Sequence, residues 1–350
     1  MMDMTRSERK IDHIHHALGH ERNFYNHFDD VNIVHQSLAR LDFNQLSIDT
    51  KVGELNLSSP LFVNAMTGGG GEKTEQINRD LALAAKETGI GMAVGSQMSA
   101  IKNPEERRTY EVVREVNPEG IVFANVGSEA DAKQANEAID MLKANALQIH
   151  INTLQEMIMP EGDRDFTDRL KKIETIVKEI EIPVIIKEVG FGMSKETVEQ
   201  LYTIGVRYVD VAGLGGTNFS RVENRRRDKQ LESFNNWGIP TPLSIIEATH
   251  TAHDRGDFHI IGSGGIRNGL DGVKAMVLGS EAFGMAGNLL RVLLEDGKEA
   301  LVAEICHIHQ EIKIAMMLLN ANTVRDFKGK PYVLYGRTKE WKEQRISSSL

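Results

Sequence analysis

Eight short apolar segments recur along the 350 residues, each closing on glycine or a small polar residue. They read LFVNAMTG (61–68), GMAVGSQ (91–97), IVFANVG (121–127), ALQIHIN (146–152), PVIIKEVG (183–190), RYVDVAGLGG (207–216), FHIIGSGG (258–265) and EAFGMAG (281–287). Several are apolar at nearly every position, which is how strands covered on both faces read. Helical periodicity fills the gaps. Over 168–180, Leu170, Ile173, Ile176, Val177 and Ile180 fall three or four apart on one face, and Pro183 opens the next strand. Further helices are expected near 72–88, 104–116, 129–143, 194–204, 244–254 and 269–278. Eight β-α units of about 25 to 35 residues fit an α/β (β/α)8 TIM barrel better than an open sheet, because closure leaves no edge strand. The reading is one domain: an N-terminal arm over 1–60, the barrel over 61–290, and a C-terminal helix and tail over 291–350, with a single long amphipathic helix predicted from about 288 to 320.

Composition bounds the function. Hydrophobic residues at 41% supply a sizeable core and exclude a disordered or fibrous chain. A formal net charge of -9 argues against a nucleic-acid partner unless basic residues cluster locally. Cys306 is the only cysteine, so an intrachain disulfide is impossible and a zinc site is a poor fit. It is expected as a small buried residue of the C-terminal helix, in a protein of the reducing cytoplasm. The first twenty residues are charged and lack an apolar signal core, and no run of eighteen apolar residues follows. Neither secretion nor a membrane span is expected.

Barrels carry their chemistry at the C-terminal ends of the strands. Here those ends offer Asn64 to Thr67, Ser96 and Gln97, Asn125, His150 and Asn152, Lys187, Gly213 to Thr217, Gly262 to Gly265, and Ala286 with Gly287. Amides, hydroxyls, one lysine and two glycine-rich turns make a hydrogen-bonding bed for a large polar ring with a phosphate tail. GSGGIRNG (262–269) and FGMAGN (283–288) follow the seventh and eighth strands, where barrels place their phosphate site. Arg267 either completes that site or is solvated. Lys187 ends an apolar strand, where a cation would stabilise a reduced, anionic flavin; pairing with Glu188 is the alternative.

Gln155, Glu156, Glu161 and Asp163 follow the fourth strand, as Mg2+ ligands or as a solvated acidic loop. Arg6, Arg9 and Lys10, and the loop residues Arg221, Arg225, Arg226 and Arg227, are either anion contacts or solvated faces. The cluster His13, His15, His16 and His20 matches no familiar metal spacing.

These pieces converge. ERK (8–10), NAMTGG (64–69), GSQ (95–97), ANVG (124–127), HINTLQEMIMPEGDR (150–164), IIKEVGFG (185–192), VAGLGGTNF (211–219), GSGGIRNG and GMAGN run in one order over nearly the whole chain. In this the chain resembles the type II isopentenyl diphosphate isomerases, FMN-dependent barrel enzymes. The resemblance implies a 1,3-allylic proton shift between isopentenyl and dimethylallyl diphosphate with reduced FMN and Mg2+, NAD(P)H serving only to reduce the flavin. It implies FMN contacts at Ala65, Met66, Thr67, Ser96, Asn125, Lys187, Thr217, Gly262, Gly264, Ala286 and Gly287, with Arg267 beside them. Substrate contacts carry over to Arg9, Lys10, Ser96, Gln97 and Gln155, and the metal ligand to Glu156. Gln155, His150 and Lys187 are the residues expected to take part in the chemistry beside flavin N5. Met98 stands where relatives are expected to carry arginine, a loss that Arg6 or the 221–227 arginines would offset. A homo-oligomer, tetramer or octamer, is implied.

Three other readings compete. An FMN-dependent 2-hydroxy acid oxidase needs a histidine base after the sixth or seventh strand, and GLGGTN and GSGGIRNG contain none. A nucleotide dehydrogenase or reductase of the phosphate-barrel type needs a loop cysteine, and Cys306 lies elsewhere. A barrel that only binds flavin or a sugar phosphate would show no turnover.

Overall fold

The computed structural model describes residues 25–253 and 255–346. Eight strands close into a parallel barrel: β1 (Leu61–Val63), β2 (Gly91–Ala93), β3 (Val122–Gly127), β4 (Ala146–Ile151), β5 (Val184–Glu188), β6 (Tyr208–Asp210), β7 (His259–Ser263) and β8 (Ala282–Met285). Each pairs with the next, and β8 returns to β1 through Phe283 opposite Leu61. The eight apolar segments of the sequence are therefore the eight staves. The strands are shorter than those segments because the polar residues that end them, such as Asn64 and Asn152, turn out of the ladder into the loops. All positions of β1, β2, β3, β5 and β6 are buried, as strands covered on both faces must be.

One end of the barrel is plugged. A hairpin of two short strands, Thr50–Val52 and Leu55–Leu57, turns at Gly53 (φ 55°) and presses Val52, Leu55 and Leu57 against the inward Phe62, Phe123, Ile185, Tyr208 and Ile261. Those side chains sit at or near the strand beginnings, so the hairpin seals the N-terminal mouth and leaves the C-terminal mouth for chemistry.

Helices form the outer ring: Gly71–Thr88, Arg108–Val116, Ala132–Leu142, Arg169–Glu179, Lys195–Thr203, Thr241–Ala252 and Gly269–Leu278. Local chemistry starts them. Asp131 caps the third by accepting from Gln134 N (2.8 Å), and the Gln134 side chain returns the bond by accepting from Asp131 N (3.1 Å). Among the described residues no helix is long and apolar enough to cross a membrane.

Two expectations for the C-terminal helix are corrected. The segment is not one helix but two, Gly287–Asp296 and Lys298–Leu319, because Gly297 takes a left-handed φ of 88° between them. Cys306 is exposed rather than buried. Ile305, Ile308 and Ile312 take the core stripe of that helix, and position 306 is turned about 100° off it.

The ends of the described chain meet. Val31–Ile33 pairs antiparallel with Tyr332–Leu334, and a last helix, Gly336–Arg345, follows. That helix is locked by Glu247, fully buried, which accepts from Trp341 Nε1 (2.8 Å), Lys195 N (2.8 Å) and Arg345 Nε (3.0 Å). Burial alone would raise its carboxyl, but these donors, Arg345 foremost, hold it below the ordinary value of 4.5. The stabilisation from this carboxylate is therefore present above that value and lost as pH falls through the lower folded one. Arg345→Ala is expected to destabilise the protein by about 2 kcal/mol at neutral pH, since it leaves a buried carboxylate short of donors. The deficit should shrink in acid; denaturant melts at pH 7 and pH 4 check both.

Candidate active site

At the open mouth lies a cavity of about 660 Å³, lined by the ends of β1, β5, β6, β7 and β8 and by Tyr25, Asn26 and His27 of the N-terminal arm. Its volume is in the range that holds a drug-sized or cofactor-sized ligand. Eight of the expected site residues line it: Ala65, Met66, Lys187, Thr217, Gly264, Arg267, Ala286 and Gly287.

The glycine turns pack backbone on backbone. Gly264 sits at φ +93°, and a Cβ there would fall 2.2 Å from the Gly213 carbonyl oxygen. Gly213 N donates to Ser263 O (2.9 Å) and Thr241 Oγ1 to Gly264 O (2.6 Å), which bind the turn after β6 to the turn after β7. The helix Gly287–Asp296 points its N-terminus toward the same rim, with Ala286 and Gly287 on the cavity wall. Backbone amides, absent side chains and a helix dipole are what a phosphate tail requires.

Lys187 stands on the opposite side. It is buried to 8% exposure, and its Nζ donates to the Glu188 carbonyl (2.7 Å) and not to the Glu188 carboxylate. That carboxylate instead accepts four backbone N–H groups of the following turn, Val189 (2.6 Å), Gly190 (2.8 Å), Phe191 (2.5 Å) and Gly192 (3.2 Å). Burial pushes the Glu188 carboxyl up to about 7, while these bonds and Lys187 pull the other way. The Glu188 carboxylate thus shapes the turn, and Lys187 is a residue of the cavity wall.

The remaining expected residues are placed elsewhere. Gln97 is fully buried, with Oε1 accepting from Asn125 N (2.9 Å) and Nε2 donating to Ala138 O (2.9 Å), and so braces β3 against its helix. Thr67 turns its hydroxyl to Asn78, and the Ser96 carbonyl accepts from Tyr110 (2.5 Å). Gly262 lies within β7. Asn125 and His150 meet each other below the mouth at 2.9 Å. Met98 is buried in the core. Arg267 does line the wall, but Asp271 (2.7 Å) and Asp29 (2.6 Å) already match its charge and raise its pKa. It links the arm to the phosphate turn.

The loop after β4 folds against the loop after β6. Gln155 Nε2 donates to Glu223 (3.1 Å), and Arg226 bridges Glu223 (2.6 Å) and Glu161. Of the loop arginines, Arg221 lines the cavity, whereas Arg226 and Arg227 clamp the two loops together. Glu156 accepts from Asn152 Nδ2 (2.9 Å) and Asp163 N (2.8 Å). Among the described residues no three His, Cys, Asp or Glu gather as a metal cage, so a single carboxylate such as Glu156 suits only an ion that takes its other oxygens from water and phosphates. Arg6, Arg9, Lys10 and the histidines 13, 15, 16 and 20 lie outside the described residues.

Sequence reasoning passed over Tyr25, Asn26, His27, Phe219, Asn236, Asn288 and Arg291, which also line the cavity. Asn26 Nδ2 donates to Gly265 O (2.7 Å), and His27 Nδ1 meets Thr338 Oγ1 (2.8 Å). No barrel period marks Tyr25 to His27, which arrive by pairing at the far end of the chain, whereas Phe219 and Asn236 follow β6 and Asn288 and Arg291 follow β8.

Known proteins share both the fold and the sequence of this chain. Residues 99–333 match the model of the FMN-dependent dehydrogenase family. An isopentenyl-diphosphate delta-isomerase of Geobacillus sp. (strain WCH70) is 52% identical over 342 residues, 98% of this chain and 97% of the relative. One of Bacillus licheniformis is 51% identical over 98% of this chain and 97% of the relative. Solved structures share the fold at low identity: flavocytochrome b2 with pyruvate bound (TM-score 0.69, 18% identity, 95% of this chain and 84% of that one) and a lactate oxidase of Pediococcus acidilactici (0.68, 15%, 93% and 87%). With half of its residues shared along nearly its full length, this chain belongs to the isopentenyl-diphosphate delta-isomerase family, on an FMN-dependent dehydrogenase barrel.

Proposed function

We propose that this protein interconverts isopentenyl diphosphate and dimethylallyl diphosphate by a 1,3-allylic proton shift. The observation that carries the reading is one cavity with a glycine-lined phosphate cradle on one side and the Lys187 head on the other. FMN fits this frame. Gly264, Ala286 and Gly287 would hold its phosphate, and Ala65, Met66, Thr217 and Lys187 its ring system, with Thr67, Ser96, Asn125, Gly262 and Arg267 supporting them. Bound and reduced, FMN would supply an electron-rich ring beside the substrate double bond, with no net redox change and NAD(P)H needed only for its reduction.

A proton is added at the terminal carbon of the alkene and another is lost from C2, so substrate and product share one formula. The residues need only orient the chain, exclude water and hold protons. Lys187 stabilises negative charge on the cofactor side. His150 and Gln155 are the side chains assigned to proton handling. Glu156 gives Mg2+ the hard oxygen it prefers, and the substrate diphosphate completes the site with Arg9 and Lys10. Arg221 is a further cation on the cavity wall. The oligomer, tetramer or octamer, and a cytoplasmic setting belong to the same proposal.

The test is anaerobic incubation in deuterated water with FMN, dithionite, Mg2+ and isopentenyl diphosphate, followed by NMR. Dimethylallyl diphosphate carrying deuterium is expected, with none from oxidised flavin and none after chelation of the metal. No product with reduced FMN bound overturns the assignment.

A further inference from the structure

Beneath the cavity, polar side chains cross the barrel interior in a single line. Asp210 accepts from Asn64 Nδ2 (2.7 Å), Asn64 Oδ1 from Gln148 Nε2 (3.2 Å), and Gln148 Oε1 from Asn125 Nδ2 (3.2 Å). Asn125 Oδ1 then meets His150 Nδ1 at 2.9 Å. Asp210 and Gln148 are fully buried, Asn125 and Asn64 nearly so. Polar groups this deep are costly unless each finds its partner, and a line in which all do so has one direction.

That direction is set at the Asp210 end. A carboxylate accepts hydrogen bonds, and the other groups on this one are also donors: Ser263 Oγ (2.6 Å) and Ala212 N (3.2 Å). Asn64 must therefore turn its NH2 toward Asp210 and its oxygen away, where it also receives Ala65 N (2.8 Å). Gln148 must then donate to Asn64 and accept from Asn125. The Asn125 oxygen is left facing the imidazole, which has to present N–H there. In its neutral form the ring then carries its proton on Nδ1 and its lone pair on Nε2.

We propose that Asp210 is a positioning residue that fixes His150 as the Nδ1–H tautomer through Asn64, Gln148 and Asn125. For the isomerase this gives a histidine whose Nε2 accepts a proton; that consequence rests on the proposed function, whereas the tautomer itself does not. The same carboxylate holds Ala212, a cavity residue at the strained φ of 32°, so one group organises both the floor of the site and the state of its histidine.

The experiment is nitrogen-15 NMR of the FMN holoenzyme labelled in the histidine rings, at alkaline pH, with the His150 signals identified by their loss in His150→Gln. A pyrrole-type Nδ1 and a pyridine-type Nε2 are expected. In Asp210→Asn an amide can put its NH2 toward Asn64 and run the line backwards, so the Nε2–H form should grow in and kcat fall roughly 10²-fold, with smaller changes in KM and FMN affinity. The swap Asn64→Asp with Asp210→Asn reverses only the bond between positions 64 and 210 and keeps every bond from there to His150 in its original direction. The carboxylate, now at position 64, accepts from Gln148, from Ala65 N and from the amide NH2 at position 210, whose oxygen still accepts from Ser263 and Ala212. The swap should restore the Nδ1–H tautomer and most of kcat. An Nε2–H ring in the unmutated holoenzyme overturns the proposal even if no variant folds. So does an unchanged tautomer in folded Asp210→Asn, or an Nε2–H ring in the folded swap. Loss of isomerase activity in the unmutated protein with His150 as Nδ1–H would instead count against the proposed function alone.

Discussion

Lys187→Met is expected to lower turnover with reduced FMN by about 10²- to 10³-fold, the range for removing one preorganised group from a charge-stabilising site. Methionine keeps the apolar stem that fills the strand end but removes the charge and the bond to the Glu188 carbonyl. In the proposed role, the nearly buried ammonium at the end of β5 favours the reduced, anionic state of the cofactor, so the flavin midpoint potential should move negative in the variant. FMN itself should stay bound, because the phosphate cradle on β7 and β8 is untouched. Turnover assays and a redox titration check the pair of effects. Unchanged potential together with unchanged kcat would remove Lys187 from the chemistry.

Gly264→Ala should give a colourless, destabilised protein. The added methyl would lie 2.2 Å from the Gly213 carbonyl oxygen and 2.9 Å from Gly213 N, both backbone atoms that cannot swing aside, at a φ of +93° that L residues rarely take. Relief requires the turns after β6 and β7 to separate, and with them the phosphate cradle. A cost of roughly 3 kcal/mol or more is expected, along with loss of FMN through purification. Gly297→Ala is the control. It too has a positive φ, of 88°, but nothing lies within 4 Å of its Cβ, so only a conformational cost of about 1 to 3 kcal/mol applies and the protein should remain yellow. Retention of FMN by Gly264→Ala, measured by absorbance per mole of protein, would show that the cradle tolerates a wider turn.

The barrel was legible because burial on both faces leaves a signature in every strand, and β1 to β8 fall within the apolar segments. The glycines were legible for a related reason: a backbone that must approach another backbone excludes every side chain, and Gly264 does so. The partners of Gln97 were not legible, because position along a strand end does not tell which way a side chain turns; its amide donates to Ala138 O in the helix layer. The break at Gly297 was hidden because apolar spacing continues across it, so periodicity alone joined two helices. Tyr25 to His27 had no local mark at all. They reach the cavity only because Val31–Ile33 finds Tyr332–Leu334, a contact that no window of sequence contains.

That last pairing has a consequence for how the protein is made. Synthesis runs from the N-terminus, so the staves and their helices can assemble while the partner of the earliest strand does not yet exist. His27 meets Thr338 across 311 positions, and Val31 waits for Leu334. The roof over the cavity is thus the final piece to settle. Until Leu334 and Thr338 have been made, the pairing that holds Tyr25 to His27 at the cavity wall has no partner.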